Sequence, residues 1–189
     1  MNELVRKSRM ISRNIMTTAP YTVLQASIIT YIITSDPVVG FFTLLVLAGE
    51  MFNQILKEVI RLIFPDSKWV QRPNPRGDGL GCGIYPESGR VSKSSGMPSG
   101  HSQTMGICIM FWTLYMRVHK GLPWKRIAPL WIMALSVVGH RVLLECHSIP
   151  QAITGFSVGL CLGAIGYVAV EKYIMKKKDT SIQKVWNQL

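Results

Sequence analysis

The chain has 189 residues, 48% hydrophobic and 16% charged, with a net charge of +11 at pH 7 and a mean hydropathy of +0.24. That is too apolar for an ordinary soluble domain, and it is long enough for one compact unit spanning residues 1–189. A basic chain with no soluble domain has no groove to offer nucleic acid, so its charge belongs to lipid headgroups or to an anionic substrate.

The apolar residues come in blocks. Asn14 to Ser35 holds no Asp, Glu, Lys or Arg, and Pro37 to Leu56 holds only Glu50. In Ser94 to Met116 the titratable side chains other than thiol and phenol reduce to His101, and Ile127 to Gly139 and Ser148 to Val170 are uncharged. A spanning helix takes about 20 mostly apolar residues. The blocks predict an all-α, multi-pass membrane bundle with five helices near 17–35, 38–63, 101–118, 126–146 and 149–174. The first block lacks a small-residue cleavage site near its end and is read as a retained helix rather than a signal peptide.

Arg6, Lys7 and Arg13 before the first helix, and Lys176 to Lys178 after the last, read as juxtamembrane charges. The prolines and glycines of residues 65–97 predict one long loop, which also carries Lys68, Arg72, Arg76, Arg90 and Lys93. Helix parity puts this loop on the same membrane face as the turn near residue 147, and puts the turns at 35–37 and 119–125 on the other. Cys108 and Cys161 lie in apolar runs and are expected in the core. Cys82 and Cys146 fall at one face, and nothing in their spacing decides whether they pair.

Four polar elements converge on the loop face. In "PSGH" (98–101), Ser99 is placed to cap a helix, Gly100 admits close approach to its backbone, and His101 sits in a first turn whose amides attract anions. In "HRVLLECHSIPQ" (140–151), His147 precedes a second helix start, with Arg141 six residues earlier. Glu50, Asn53 and Lys57 share one face of the second helix, and a polar stripe in a membrane helix faces the protein interior or a cavity. Arg72-Pro73 lies in the basic loop. Two histidines, several cations and helix-start amides, without the carboxylate cluster a divalent metal needs, fit metal-free phosphoryl transfer. One histidine attacks phosphorus and the other protonates the leaving oxygen. No cofactor is called for.

These residues resemble the signature of the type-2 phosphatidic acid phosphatase and vanadium haloperoxidase superfamily: Lys-x6-Arg-Pro, Pro-Ser-Gly-His, and Ser-Arg-x5-His-x3-Asp. Here Pro98-Ser99-Gly100-His101 matches fully, Arg141 and His147 keep the third spacing, and Arg72-Pro73 matches the first part. Lys57 stands fifteen residues before Arg72 rather than seven, so either an insertion separates them or Lys68 takes the lysine's place; His140 replaces Ser, and Gln151 replaces Asp. The stripe Glu50, Asn53, Lys57, the run Gly96 to Gln103 and Gln151 are most similar to the dolichyl-diphosphate phosphatases.

The resemblance implies hydrolysis of a dolichyl or polyprenyl diphosphate to the lipid monophosphate. His147 would be the nucleophile and pass through a phosphohistidine, and His101 would be the acid. Lys57, Arg72 and Arg141 would hold phosphate with Ser99, Gly100 and Asn53, and Gln151 would orient the ring of His147 by hydrogen bonding. It also implies an endoplasmic-reticulum membrane protein of the N-glycosylation pathway, with its site on the lumenal side. Two other readings use the same residues: a lipid-monophosphate phosphatase acting on phosphatidic acid or a sphingoid phosphate, and a non-catalytic protein that binds lipid headgroups.

Overall fold

The computed structural model describes residues 3–74, 82, 95–121 and 124–175. The elements among the described residues are helical: α1 (Glu3–Thr34), α2 (Pro37–Ile63), α3 (Gly100–Lys120), α4 (Trp124–Leu143) and α5 (Ile149–Val170), the last running into a π-helical turn, Glu171–Met175. Arg76, Arg90, Lys93 and the lysines at 176–178 lie outside the described residues.

The helix ends follow local chemistry. Asp36 caps α2, its Oδ1 accepting from the Val38 amide at 2.8 Å, with Pro37 at the first helical position. Ser99 caps α3, and Gly121, at φ 69°, closes it in the left-handed conformation glycine tolerates. α4 stops at Leu143, short of the expected 146, because the chain turns over 144–146 with Glu145 at φ 55°. α1 begins at Glu3, well before the expected 17. The basic residues there mark the end of the apolar block, but Arg, Lys and Met are good helix formers, so the helix continues past it.

Among the described residues, Pro37–Ile63, Trp124–Leu143 and Ile149–Met175 are long and apolar enough to cross a membrane. α3 falls outside that criterion for a structural reason: it is the central helix and packs on all four others. Lipid does not set its composition, so Ser102, Gln103 and Thr104 are buried in its first turns. Further along, Ile107 and Phe111 of α3 pack with Phe42 and Val46 of α2 and Tyr167 of α5. Met105 and Ile109 pack with Ala19 of α1 and Ala134 and Val137 of α4.

A stripe of small residues lets α5 approach α3 closely. A methyl group on Gly155 would strike the Ser99 backbone, and one on Gly159 would strike that of Gln103. Gly163 meets Ile107 in the same way, so three glycines at four-residue spacing seat one helix on the other. Cys108 is buried as expected, whereas Cys161 is exposed on the outer face of α5. Its apolar neighbours marked a membrane helix, not which side of that helix faces protein.

Candidate active site

The loop after α2 and the turn between α4 and α5 meet at one end of the bundle. Gly96 donates its amide to Val70 at 2.7 Å, Asn74 donates to Glu145 at 3.1 Å, and Ser99 donates to Gln151 at 3.1 Å, all backbone to backbone. A disulfide joins Cys82 to Cys146 across 64 residues of sequence. It ties the loop to the turn that carries His147.

His147 is 3% exposed in that turn. Its Nδ1–H donates to the Gly96 carbonyl at 2.8 Å, because a carbonyl can only accept. The proton is thereby held on Nδ1 and the lone pair is left on Nε2. Arg72 Nη1 faces that lone pair at 3.3 Å and also donates to the Cys146 carbonyl at 3.1 Å. Burial holds the His147 ring well below its ordinary pKa of 6.5, and Arg72, Arg141 and Lys57 add to the effect; the Gly96 bond acts in the opposite direction. The ring is therefore a neutral base at physiological pH. Burial lowers the Arg72 guanidinium pKa as well.

Arg141, on the last turn of α4, is 1% exposed and donates through Nη2 to the Cys82 carbonyl at 2.6 Å. Lys57 is 8% exposed on the inward face of α2. Lys68 is exposed, so of the two lysines it is Lys57 that turns inward. His140 is half-buried beside Arg141.

Ser99 is fully buried, and its hydroxyl accepts from the Ser102 amide at 3.4 Å and the Ser102 hydroxyl at 3.1 Å. Its side chain thus serves the helix start. The amides of Gly100 and His101 stand at the first helical positions, where no helix carbonyl can reach them. A Cβ on Gly100 would lie 3.1 Å from Asn53 Oδ1. Asn53 Nδ2 donates to Gln103 Oε1 at 2.9 Å, and Gln103 Nε2 donates to the Gly49 carbonyl at 2.6 Å. Asn53 thereby locks α2 to α3 beneath the first turn of α3.

His101 donates its Nε2 proton to the Thr17 carbonyl of α1 at 3.0 Å, and Tyr21 packs edge-on to its ring at 5.9 Å between centroids. α1 thus contributes directly to the site, which the sequence reading left unassigned. Gln151 was expected to orient His147. Its amide is instead spent on the loop, Nε2 donating to the Trp69 and Gln71 carbonyls at 2.8 and 2.7 Å and Oε1 accepting from the Ser148 amide at 3.1 Å. The ring takes its direction from Gly96. A Cβ at Gly96 would meet Gln151 Oε1 at 2.6 Å, so Gln151 acts on His147 only through the residue it packs against.

The sequence matches the PAP2 superfamily over residues 38–175, which covers every helix but α1. The chain belongs to this superfamily. Among curated proteins it is 28% identical over 131 residues to a Saccharomyces cerevisiae protein named dolichyldiphosphatase, covering 65% of this chain and 49% of that one. It is 37% identical over 90 residues to dolichyldiphosphatase 1 of Dictyostelium discoideum, covering 44% of this chain and 39% of that one. The chain therefore spans half or less of the length of these relatives. No solved structure matches it.

Proposed function

We propose that this PAP2 protein hydrolyses a lipid diphosphate of the dolichyl or polyprenyl type to the lipid monophosphate and phosphate. The observation that carries the reading is the tautomer of His147: Nδ1–H is given to Gly96, and the Nε2 lone pair points at the half-buried Arg72. A neutral imidazole facing a cation is a nucleophile beside an anion site.

The terminal phosphoryl group binds among Lys57, Arg72 and Arg141, with the Gly100 and His101 amides as further donors. Arg72 exchanges its contact with Nε2 for a phosphate oxygen. Nε2 attacks phosphorus, a P–N bond forms, and the bridging P–O bond breaks. The lipid monophosphate leaves with a proton from His101. Water then attacks the phosphohistidine: a P–O bond forms, the P–N bond breaks with its electron pair returning to Nε2 of His147, phosphate is released, and the water's proton goes to His101. Three preorganised cations supply the charge stabilisation the transferring group requires.

The names of both relatives favour a polyprenyl diphosphate as substrate. The Cys82–Cys146 disulfide lies on the active-site face, and disulfides persist in oxidising compartments. The disulfide supports the reading that the site opens to an oxidising compartment, as the lumen of the endoplasmic reticulum is.

The deciding assay compares phosphate release from a dolichyl-type diphosphate and from phosphatidic acid in one detergent. The diphosphate is expected to win by at least about 100-fold in kcat/KM. Preference for phosphatidic acid overturns the substrate class, and no release from either overturns the enzyme. His147→Ala is expected to abolish release and to lose the acid-labile phosphoenzyme trapped from the wild type.

A further inference from the structure

The face of α2 that carries Lys57 also carries an exposed ionisable group, Glu50, that the proposed chemistry does not use. Glu50 stands two turns before Lys57, about 10 Å deeper in the bundle at 1.5 Å per residue. An ionisable side chain at that level of a membrane helix is costly, and it marks a functional site or a specific partner.

Glu50 lines a cavity of about 60 Å³ between α1, α2 and α3. His101, Gly100, Thr104 and Tyr21 line the same cavity, and its remaining wall is apolar. Thr104 Oγ1 donates to Glu50 Oε2 at 3.4 Å, and a Cβ on Gly100 would lie 3.5 Å from Glu50 Oε1. The carboxylate is therefore held against the first turn of α3, on the side where the His101 ring lies.

His101 already gives one proton to the Thr17 carbonyl. To act as an acid the ring must carry a second, and it does so within the field of Lys57, Arg72 and Arg141. An imidazolium among three cations requires a nearby anion. Around it, α1 offers the Thr17 carbonyl and the Tyr21 phenol, α4 offers Arg141, and the loops offer Arg72 and His147. α2 offers Lys57 and Glu50, and Glu50 is the carboxylate of this set.

We propose that Glu50 is a positioning residue for departure of the lipid: across the cavity it is the counter-charge that keeps His101 in its proton-donating form. This rests on the phosphatase reading above. When the bridging P–O bond breaks, its electron pair stays on the leaving oxygen, which takes the proton from the imidazolium. The ring becomes neutral and Glu50 stays ionised. Attack of water on the phosphohistidine then returns a proton to the ring, and the pair is reset.

The test is the pH profile of kcat/KM for farnesyl diphosphate with the purified full chain in detergent, whose alkaline limb reports the acid of the free enzyme. Glu50→Gln keeps an acceptor for Thr104 but loses the charge. It is expected to lower kcat/KM about 10-fold and to move the alkaline limb down by about one pH unit. Glu50→Asp keeps the charge and is expected to leave the limb within a few tenths of a unit of wild type. An unmoved limb in Glu50→Gln, whatever its rate, assigns Glu50 a structural role and overturns the proposal; so does an equal shift in both variants. A wild type that releases no phosphate overturns the reading beneath it instead.

Discussion

The Gly96 carbonyl accepts the Nδ1 proton of His147 at 2.8 Å, and Gly96 in turn has no room for a side chain, because a Cβ there would meet Gln151 at 2.6 to 2.8 Å. A fully buried glutamine thus acts at one remove on the ring nitrogen that faces Arg72. In other histidine-based sites a carboxylate holds the imidazole and stabilises its charged form. A carbonyl fixes the tautomer without adding charge, which suits the proposed role of His147 as a neutral nucleophile.

Gly96→Ala should therefore act as a lesion of His147. The loop must retreat from Gln151, and displacing a catalytic group by about 1 Å costs on the order of 100-fold in rate. Gln151→Ala alone loosens the loop by removing its bonds to Trp69 and Gln71. In the double variant the obstacle to the new methyl group is gone, so the two losses in kcat/KM should not add. Additive losses in this double-mutant cycle would show that the two residues do not act through one contact.

Arg72 should set the acidic limb of the same profile. Burial is the larger cause of the depressed His147 pKa, and Arg72 is the first of the cations that add to it. Arg72→Gln removes the charge and should move the limb of kcat/KM upward by about one pH unit, toward the ordinary imidazole value, while Arg72→Lys should leave it nearly in place. Linkage fixes the sign for stability as well. The folded chain holds His147 neutral whereas the unfolded chain takes up a proton near the ordinary value of 6.5. Stability from this residue is thus complete above that pH and falls as the pH drops below it. Acid unfolding of Arg72→Gln should be less steep than that of wild type when followed by thermal melts from pH 7 to pH 5.

The helices and the meeting of the two loops were legible in sequence because they rest on block lengths and parity, which survive without coordinates. The "PSGH" start and the spacing of Arg141 to His147 were legible because a helix start needs particular residues at particular places. The partners of the two rings were not. Thr17 and Gly96 contribute backbone carbonyls, and any residue carries one. Gln151 was misread because its type suggested a hydrogen bond to the ring, while the chain brings the Trp69 and Gln71 carbonyls to it first. The glycine stripe of α5 is visible in the sequence as Gly155, Gly159 and Gly163, but an uncharged and mostly apolar segment gives no sign of which face meets protein.

The thiols give a chemical count of the fold. With Cys82 and Cys146 joined and Cys108 buried, only Cys161 should react with a thiol reagent in the native protein. Two thiols should react after denaturation without reductant, and all four cysteines after reduction. Cross-linking positions 64 residues apart is worth about 4 kcal/mol by the loop-closure relation. Cys146→Ser should therefore lower the apparent Tm by roughly 10 °C for a chain of this size. It should also weaken substrate binding, because Arg141 is held by the carbonyl of Cys82.

The α3–α5 seam separates packing from helix propensity at matched residues. Gly159→Ala puts a methyl group into the backbone of Gln103, and Gly155→Ala puts one into that of Ser99, the cap of α3. Backbone cannot move aside as a flexible side chain can, so each should cost about 1–3 kcal/mol or more. Gly139→Ala, in α4, meets nothing within 4 Å. It should gain about 0.5–1 kcal/mol, since alanine loses less backbone entropy in a helix than glycine. The two seam variants should differ from each other in function. Gly155 abuts the residue whose amide donates to Gln151 and whose hydroxyl caps the turn proposed to bind phosphate, so its variant should lose activity at temperatures where it remains folded. Gly159 lies one turn deeper, against Gln103, and its variant should lose activity only as it unfolds. Thermal melts run beside phosphate release on the same samples would test this, and equal activity losses at equal folded fraction would deny the active-site end of the seam any special role.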